Sequence, residues 1–272
     1  MLSVILVSIF AGFLGALTGL GGGSIMIPIL VGLGVPVKYA IAASMVTIIA
    51  TSSGSAASYV KQNLTNIKAA FYLEAFTITG AIIGSSITAL IAPRLLYFFF
   101  AAFLLISLYG LSGRLREDFP KPVKQGPVAK WLELEGAYYD DAAKRQVDYK
   151  LEKARYAGPG MLVAGLVAGM LGIGAGAFKV SIQEVILKMP SKVSSATSNF
   201  IIGVTALAGA SVYFGSGLLF ASLAAPMAVG TTIGALAGGR ILNRIPNRTI
   251  RYLFLVIVLA LILQMLYKGI TQ

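Results

Sequence analysis

The sequence contains neither cysteine nor histidine. Those two absences remove disulfides, thiolate and imidazole metal sites, Cys–His nucleophiles and the usual proton shuttle of neutral pH. Acidic residues are scarce too, with 10 Asp and Glu against 22 Lys and Arg. Charged residues make up 12% of the 272 positions, against roughly 25% in a soluble domain. No G-x-x-x-x-G-K-[ST] stretch is present, so the phosphate-cradling loop of ATP-driven pumps is missing. What fills the chain instead is apolar: 57% of residues are hydrophobic, in long runs. That is the composition of an integral membrane protein. The net charge of +12 fits basic residues flanking membrane spans on the cytoplasmic side better than it fits nucleic acid, because most of them fall between the apolar runs.

Six runs are long enough to span a bilayer: 37–60, 69–92, 95–112, 193–214, 218–242 and 252–267. Two more apolar segments, 2–33 and 159–188, are each interrupted by a glycine cluster. Residues 1–6 lack the basic and polar flanks of a cleaved leader and read as the start of the first membrane element. Between the halves lies the only strongly charged stretch. The expected organisation is a first membrane repeat at 1–112, a cytoplasmic insert at 113–157 and a second membrane repeat at 158–272. Within the insert, Trp131-Leu-Glu-Leu-Glu and Gln146-Val-Asp-Tyr-Lys-Leu-Glu alternate apolar and polar residues around Asp140-Asp141, the pattern of a β-hairpin.

The halves repeat. G-L-G-G-G-S at 19–24 answers G-I-G-A-G-A at 172–177, and Pro36-Val-Lys38 answers Pro190-Ser-Lys192. Ser44 answers Ser198, Thr51 answers Thr205, Tyr59 answers Tyr213, and Gly80-xxx-Gly84 answers Gly230-xxx-Gly234. The distribution of positive charge tells the orientation of the repeats. If each glycine-broken segment crosses the membrane, the halves are parallel and the basic residues divide 13 inside to 8 outside. If each enters and returns on one side, the halves are inverted and the division is 18 to 3, with Lys179 inside a hairpin and uncounted. The second split is the stronger. The expected fold is therefore an all-α polytopic membrane protein of two inverted repeats, each a Gly-broken re-entrant hairpin plus three transmembrane helices, with both termini outside. Residues 24–33 make about 15 Å of helix, half of a hydrocarbon core of about 30 Å, so this arm reaches the midplane only.

A broken helix inside a membrane is tolerated where its backbone is buried in protein or lines a cavity. Gly21, Gly22 and Gly23 leave free N–H groups at the start of a helical arm with Ser24 as a candidate cap, which makes an anion site at a helix N-terminus. Gly174, Ala175 and Gly176 supply the matching tip in the second half, and short Gly-interrupted segments mark the midplane site of transporters built from repeats. The competing explanation, close helix packing, fits the small-xxx-small pairs Gly15/Gly19, Gly80/Gly84, Gly165/Gly169 and Gly230/Gly234 better than it fits three adjacent glycines. Ser44, Thr47, Thr51 and Ser55 follow helical spacing after the first tip, and Ser198, Asn199 and Thr205 follow the second. Hydroxyls donate to an oxyanion without trapping it, although they also serve as interhelical glue or bond back to their own helix. Three ionisable residues fall within apolar segments and are functional suspects: Lys179, placed to neutralise an anion or to pair with Glu184, and Glu74 and Glu184 as coupling groups. Lys68 lies close enough in sequence to draw Glu74 toward the cytoplasmic interface. No metal or cofactor is called for. The partners expected are a small anionic substrate and membrane lipid, with no nucleic acid; a homo-oligomer is compatible with the chain.

G-x-x-x-G-L-G-G-G-S-x-x-x-P-x-L at 15–30, its degenerate echo at 168–183 and the paired Pro-x-Lys-x-x-x-x-x-Ser elements at 36–44 and 190–198 resemble the sulfite exporter TauE/SafE family of membrane transporters. The resemblance covers the whole chain and implies transport of small sulfur-containing or carboxylated anions such as sulfite, sulfonates or sulfoacetate. The family's glycine motif falls on Gly19, Gly21, Gly22, Gly23 and Pro28. In the second half Ala175 replaces a glycine and Ser181 stands where Pro28 does, which argues for an asymmetric site. A membrane-embedded hydrolase or phosphatase, and an anion channel, are the alternatives; the first wants clustered intramembrane acids, and the six runs lack them.

Overall fold

A computed structural model describes residues 2–18, 22–88, 90–112, 125–241 and 244–271. The first half forms α1 (Leu2–Thr18), α2 (Gly22–Gly32), α3 (Val37–Lys61), α4 (Ile67–Thr88) and α5 (Pro93–Ser112). The insert forms a short α6 (Pro127–Trp131) and strands β1 (Glu135–Asp140) and β2 (Arg145–Lys150). The second half forms α7 (Ala154–Leu171), α8 (Gly176–Val185), α9 (Ser191–Gly215), α10 (Ala221–Ile241) and α11 (Asn247–Thr271). Among the described residues five helices, α3, α4, α7, α9 and α10, are long and apolar enough to cross a membrane. The chain is thus a mostly helical, multi-pass membrane protein. Large apolar side chains such as Phe71, Leu105, Leu207, Val229 and Leu263 cover its outside, a surface suited to lipid and not to water.

The helices interlock by halves. α1 packs on α10 and α7 packs on α4, so the first helix of each half lies against the other half. These contacts need glycine: a Cβ at Gly80, Gly165 or Gly169 would overlap a backbone carbonyl of the opposite helix between α4 and α7, and one at Gly12 or Gly234 would do so between α1 and α10. Backbones that close let helices adhere by van der Waals contact in a solvent that supplies no hydrophobic drive between them. The packing reading of Gly80/Gly84 and Gly165/Gly169 is therefore correct. Gly19, of the pair Gly15/Gly19, lies outside the described residues.

Hydrogen bonds fix the directions of the helices. α4 and α7 run the same way: Tyr72 Oη donates to the Ala154 carbonyl near one end, and Thr88 Oγ1 to the Met170 carbonyl near the other. α4 and α9 do too, with the Asn66 N–H on Thr197 Oγ1 and Gly209 beside Ser85. On the other side, α1 runs with α10, Gly230 facing Ile5 and Gly238 facing Phe13. α10 runs with α3, Thr231 Oγ1 lying against the Thr47 carbonyl and Gln62 Nε2 donating to the Gly239 carbonyl. α1 and α3 are therefore parallel, and the short α2 between them runs back; α8 likewise runs back between the parallel α7 and α9. The two central helices, α3 and α9, are antiparallel: Met45 faces Gly209, while Ser52 Oγ donates to the Asn199 carbonyl.

Two details differ from the sequence expectation. The outgoing arms of the hairpins are long: α1 has 17 residues and α7 has 18, so only the returning arms α2 and α8, with 11 and 10 residues, are half-length. α7 falls within the interrupted apolar segment 159–188 and begins five residues before it, with Pro159 in its first turns. In addition, the glycine ladders correspond one turn further along than expected. Gly80 faces Leu162 and Leu166, and it is Gly234 that faces their equivalents, Ile9 and Phe13. Gly84 faces Leu166, and Gly238 faces Phe13. α10 carries glycine at 230, 234 and 238, so sequence alone fits two registers.

The insert contains the expected hairpin, antiparallel with Tyr138 opposite Val147. Its first strand starts later than the alternation suggests, because Trp131 ends α6. The hairpin is not free-standing. Tyr138, Val147 and Tyr149 are buried against the helical body. Asn66, at the start of α4, donates to Tyr149 Oη at 3.2 Å, and the Glu152 N–H donates to the Leu187 carbonyl at 2.9 Å. Burial pushes the Tyr149 phenol up to about 12, against the opposing bond from Asn66. Two strands alone are marginal; this docking supplies the rest.

Candidate functional site

The two glycine tips converge on one side chain. A Cβ on Gly23 would lie 2.5 Å from Ile48 Cγ1, and one on Gly174 would lie 3.5 Å from Ile48 Cγ2. Each tip is held by the other half's central helix: Ser44 Oγ of α3 donates to the Gly172 carbonyl at 2.6 Å, and Asn199 Nδ2 of α9 donates to the Ala16 carbonyl at 3.0 Å. The paired tyrosines do equivalent work, Tyr59 Oη on Ala16 O at 2.7 Å and Tyr213 Oη on Gly169 O at 2.6 Å. The second tip turns through left-handed backbone at Gly172, Gly174 and Ala175, with φ of 63°, 66° and 48°. Ala175 pays for that conformation with its Cβ, and no side chain caps α8 behind it. Gly176 thus opens the helix without a side-chain cap. Gly22 is wedged between Thr51 and Thr231, where a Cβ would lie 2.7 Å from Thr51 Oγ1. Gly21 and the Ser24 side chain lie outside the described residues.

The hydroxyls of α3 bond along their own helix: Thr47 Oγ1 to Ser44 O, Thr51 Oγ1 to Thr47 O and Ser55 Oγ to Thr51 O. Ser44 is a strut for the second tip. Ser198 is fully buried on α9. Asn199 keeps its Oδ1 buried without a hydrogen-bond partner. Glu184 is buried as well.

Lys179, Thr205 and Glu74 come together from α8, α9 and α4. Lys179 is fully buried, and its Nζ donates to Thr205 Oγ1 at 2.7 Å. Thr205 Oγ1 lies 3.0 Å from Glu74 Oε1 and 3.3 Å from Thr77 Oγ1. Glu74 is only 7% exposed, and its Oε2 has no hydrogen-bond partner. The sequence draws Glu74 toward an interface through Lys68. The structure places it beside position 15 of the 25 in α9, because α9 starts below α4: Asn66 is level with Thr197.

The glycine tips at 19–24 and 172–177 are related by a spacing of 153, the tyrosines and glycine ladders by 154; with these spacings the counterparts of Lys179, Thr205, Thr77 and Glu74 are Met26, Thr51, Thr231 and Ala228. Both threonine pairs are buried. Both charges are missing from the cluster around Thr51.

The profile of the sulfite exporter TauE/SafE family matches residues 4–265. The chain belongs to that family. It is also similar to the probable membrane transporter protein YunE of Bacillus subtilis strain 168, with 26% identity over 275 residues, covering 98% of this chain and 97% of that one. No solved structure matches it.

In this TauE/SafE-family protein three site residues escape sequence reasoning. Thr77 and Thr231 were legible only through the one-turn correction, since their spacing of 154 equals that of Thr51 and Thr205. Gln183 is one turn beyond Lys179 on the same face of α8; it is fully buried, and neither amide atom has a hydrogen-bond partner.

The two ends of the bundle differ. At the end where α3 begins, a cavity of about 380 Å³ opens beside half-buried Lys38, lined also by Tyr39, Tyr97 and Leu218. At the opposite end the equivalent Lys192 is fully buried, with its Nζ 2.7 Å from Asp140 Oδ1 of the insert. Leu64, the counterpart of Leu218, is fully buried there too.

Proposed function

We propose that this protein is a secondary transporter of small sulfur-containing oxyanions, of the sulfite, sulfonate or sulfoacetate type, working by alternating access across the cytoplasmic membrane. The substrate sits between the two tips, near the N-termini of α2 and α8, and Lys179 supplies the counter-charge. The hydroxyls of Thr47, Thr51, Ser198 and Thr205 turn toward it as the tips separate. The observation that carries this reading is Lys179 itself: a buried lysine in an apolar helical body is costly unless it meets an anion or a carboxylate, and it stands one turn from an uncapped helix N-terminus that also favours negative charge.

The halves are inverted repeats with re-entrant hairpins in this account. The antiparallel α3 and α9 and the back-running α2 and α8 support it, as does the 18 to 3 division of basic residues. Both termini then lie outside and the insert lies in the cytoplasm. The family profile supports a transporter; the choice of anion rests on the family name and on the positive charge of Lys179.

Flux of radiolabelled sulfoacetate and ethanesulfonate into proteoliposomes tests the function. Saturable flux that Gly22→Leu abolishes in a folded, inserted protein is expected. Absence of flux, with phosphatase turnover in its place, overturns it. An impermeant reagent should label a cysteine placed at the C-terminus in intact cells; labelling only after permeabilisation contradicts the inverted arrangement.

A further inference from the structure

We propose that Glu74 is the proton carrier of the transport cycle: a monoanion that binds Lys179 displaces the lysine from Glu74, which then takes up one proton, so that anion and proton cross together. This rests on the anion-transport reading above and adds the coupling ion and its stoichiometry.

The argument starts from charge. Lys179 and Glu74 are both buried and are joined through the Thr205 hydroxyl. As a pair they are neutral. A monoanion arriving at Lys179 leaves the buried site with one uncompensated negative charge, which a protein interior resists strongly. One proton on Glu74 restores neutrality. Written out, Lys179 ammonium, Glu74 carboxylate, anion and proton become an ammonium–anion pair and a Glu74 carboxylic acid. No bond other than O–H forms, and no redox partner is needed.

The geometry suits both states. Glu74 Oε1 faces Thr205, while Oε2 is buried with no partner, so a position stands ready for the proton. Thr205 can serve either form, because its hydroxyl also lies 2.9 Å from the Ile201 carbonyl and can turn its single hydrogen there. Among the described residues the one acceptor for Lys179 Nζ is Thr205 Oγ1, which leaves ammonium donors for an anion. Gln183, on the same face of α8, holds an unused amide N–H₂ to orient it.

No other titratable group on the surrounding helices fits this role. On α8, Glu184 is five residues from Lys179, about 140° around the helix. On α9, Lys192 is paired with Asp140 and Tyr213 donates to Gly169 O. On α7, Arg155 and Tyr156 are exposed in the first turn. On α4, Lys68 pairs with Glu133 and Tyr72 donates to Ala154 O. On α3, Lys38 and Lys61 sit at the two ends and Tyr59 donates to Ala16 O. On α5, Arg94 donates to the Gly269 carbonyl and Tyr97 lines the cavity beside Lys38. With Met26 and Ala228 in the matching places, the equivalent cluster around Thr51 offers no second carrier, so the ratio is one proton per monoanion.

The test uses purified full-length protein in proteoliposomes loaded with a pH dye and given an inward gradient of ethanesulfonate, which stays ionised in water. Wild type should acidify the lumen with about one proton per anion, at a rate unaffected by an imposed potential. Folded Glu74→Gln should lose proton entry and all stimulation by a pH gradient. Anion flux without protons in wild type overturns the proposal and leaves the transport reading standing. Proton entry in folded Glu74→Gln also overturns it. Absence of any ethanesulfonate or sulfoacetate flux removes the transport reading and this inference with it. If Glu74→Gln does not fold, the wild-type ratio decides alone.

Discussion

The cluster around Thr205 carries Lys179 from the second half and Glu74 from the first; the equivalent cluster around Thr51 carries Met26 and Ala228. The frame is shared: Tyr59 and Tyr213 hold equivalent carbonyls, and Gly80 and Gly234 admit equivalent backbones. The finish is not. Helix packing in lipid depends on small residues and backbone contacts, which a duplication copies intact. A buried charge needs its partner, and here the two members of the pair come from different halves. The mouths show the same divergence, Lys38 beside an open cavity and Lys192 sealed by Asp140 of the insert.

Copying the charge into the first half should break the comparison most severely. Met26→Lys buries an ammonium with Ala228 in place of a carboxylate, at a cost of about 3–5 kcal/mol. Adding Ala228→Glu should recover part of that loss in detergent melting curves. Next comes the sealed mouth. Asp140→Asn leaves Lys192 buried without its counter-charge and should cost about 3 kcal/mol, or release the insert to hydrogen exchange. The matching Lys38→Met should change stability by no more than about 0.5 kcal/mol. The shared frame should respond equally in both halves: Gly80→Ala and Gly234→Ala each force a Cβ into a backbone carbonyl and should each cost about 1–3 kcal/mol. An unequal pair would mean that the one-turn correction is wrong. The smallest effect has the opposite sign. Ala175→Gly relieves a left-handed alanine and should stabilise the protein by about 1 kcal/mol.

The features legible in the sequence were those with a local or repeated signature. The glycine tips and the pairs Tyr59/Tyr213 and Thr51/Thr205 recur at readable spacing, and the hairpin around Asp140-Asp141 shows in its local alternation. Helices α3, α4, α9 and α10 announce themselves by apolar length. The glycine ladder misled because it repeats every fourth residue, so a slip of one turn costs no match; Thr77 and Thr231 were hidden by that slip. The depth of Glu74 depends on how far α9 extends below α4, a relation between separate helices that spacing along one chain does not encode. The Lys192–Asp140 pair joins a repeat to an insert over 52 residues, and the unpaired amide of Gln183 is visible only when its surroundings are.

The most direct measurement is counterflow of labelled ethanesulfonate in proteoliposomes, comparing wild type with Lys179→Met and Met26→Leu, each first shown to be folded. Transport centred on the Lys179–Thr205–Glu74 cluster predicts that Lys179→Met falls by about 100-fold or more, the loss expected when a charge-assisted contact to the substrate is removed, while Met26→Leu stays near wild type. Counterflow at the wild-type rate in folded Lys179→Met would contradict the account.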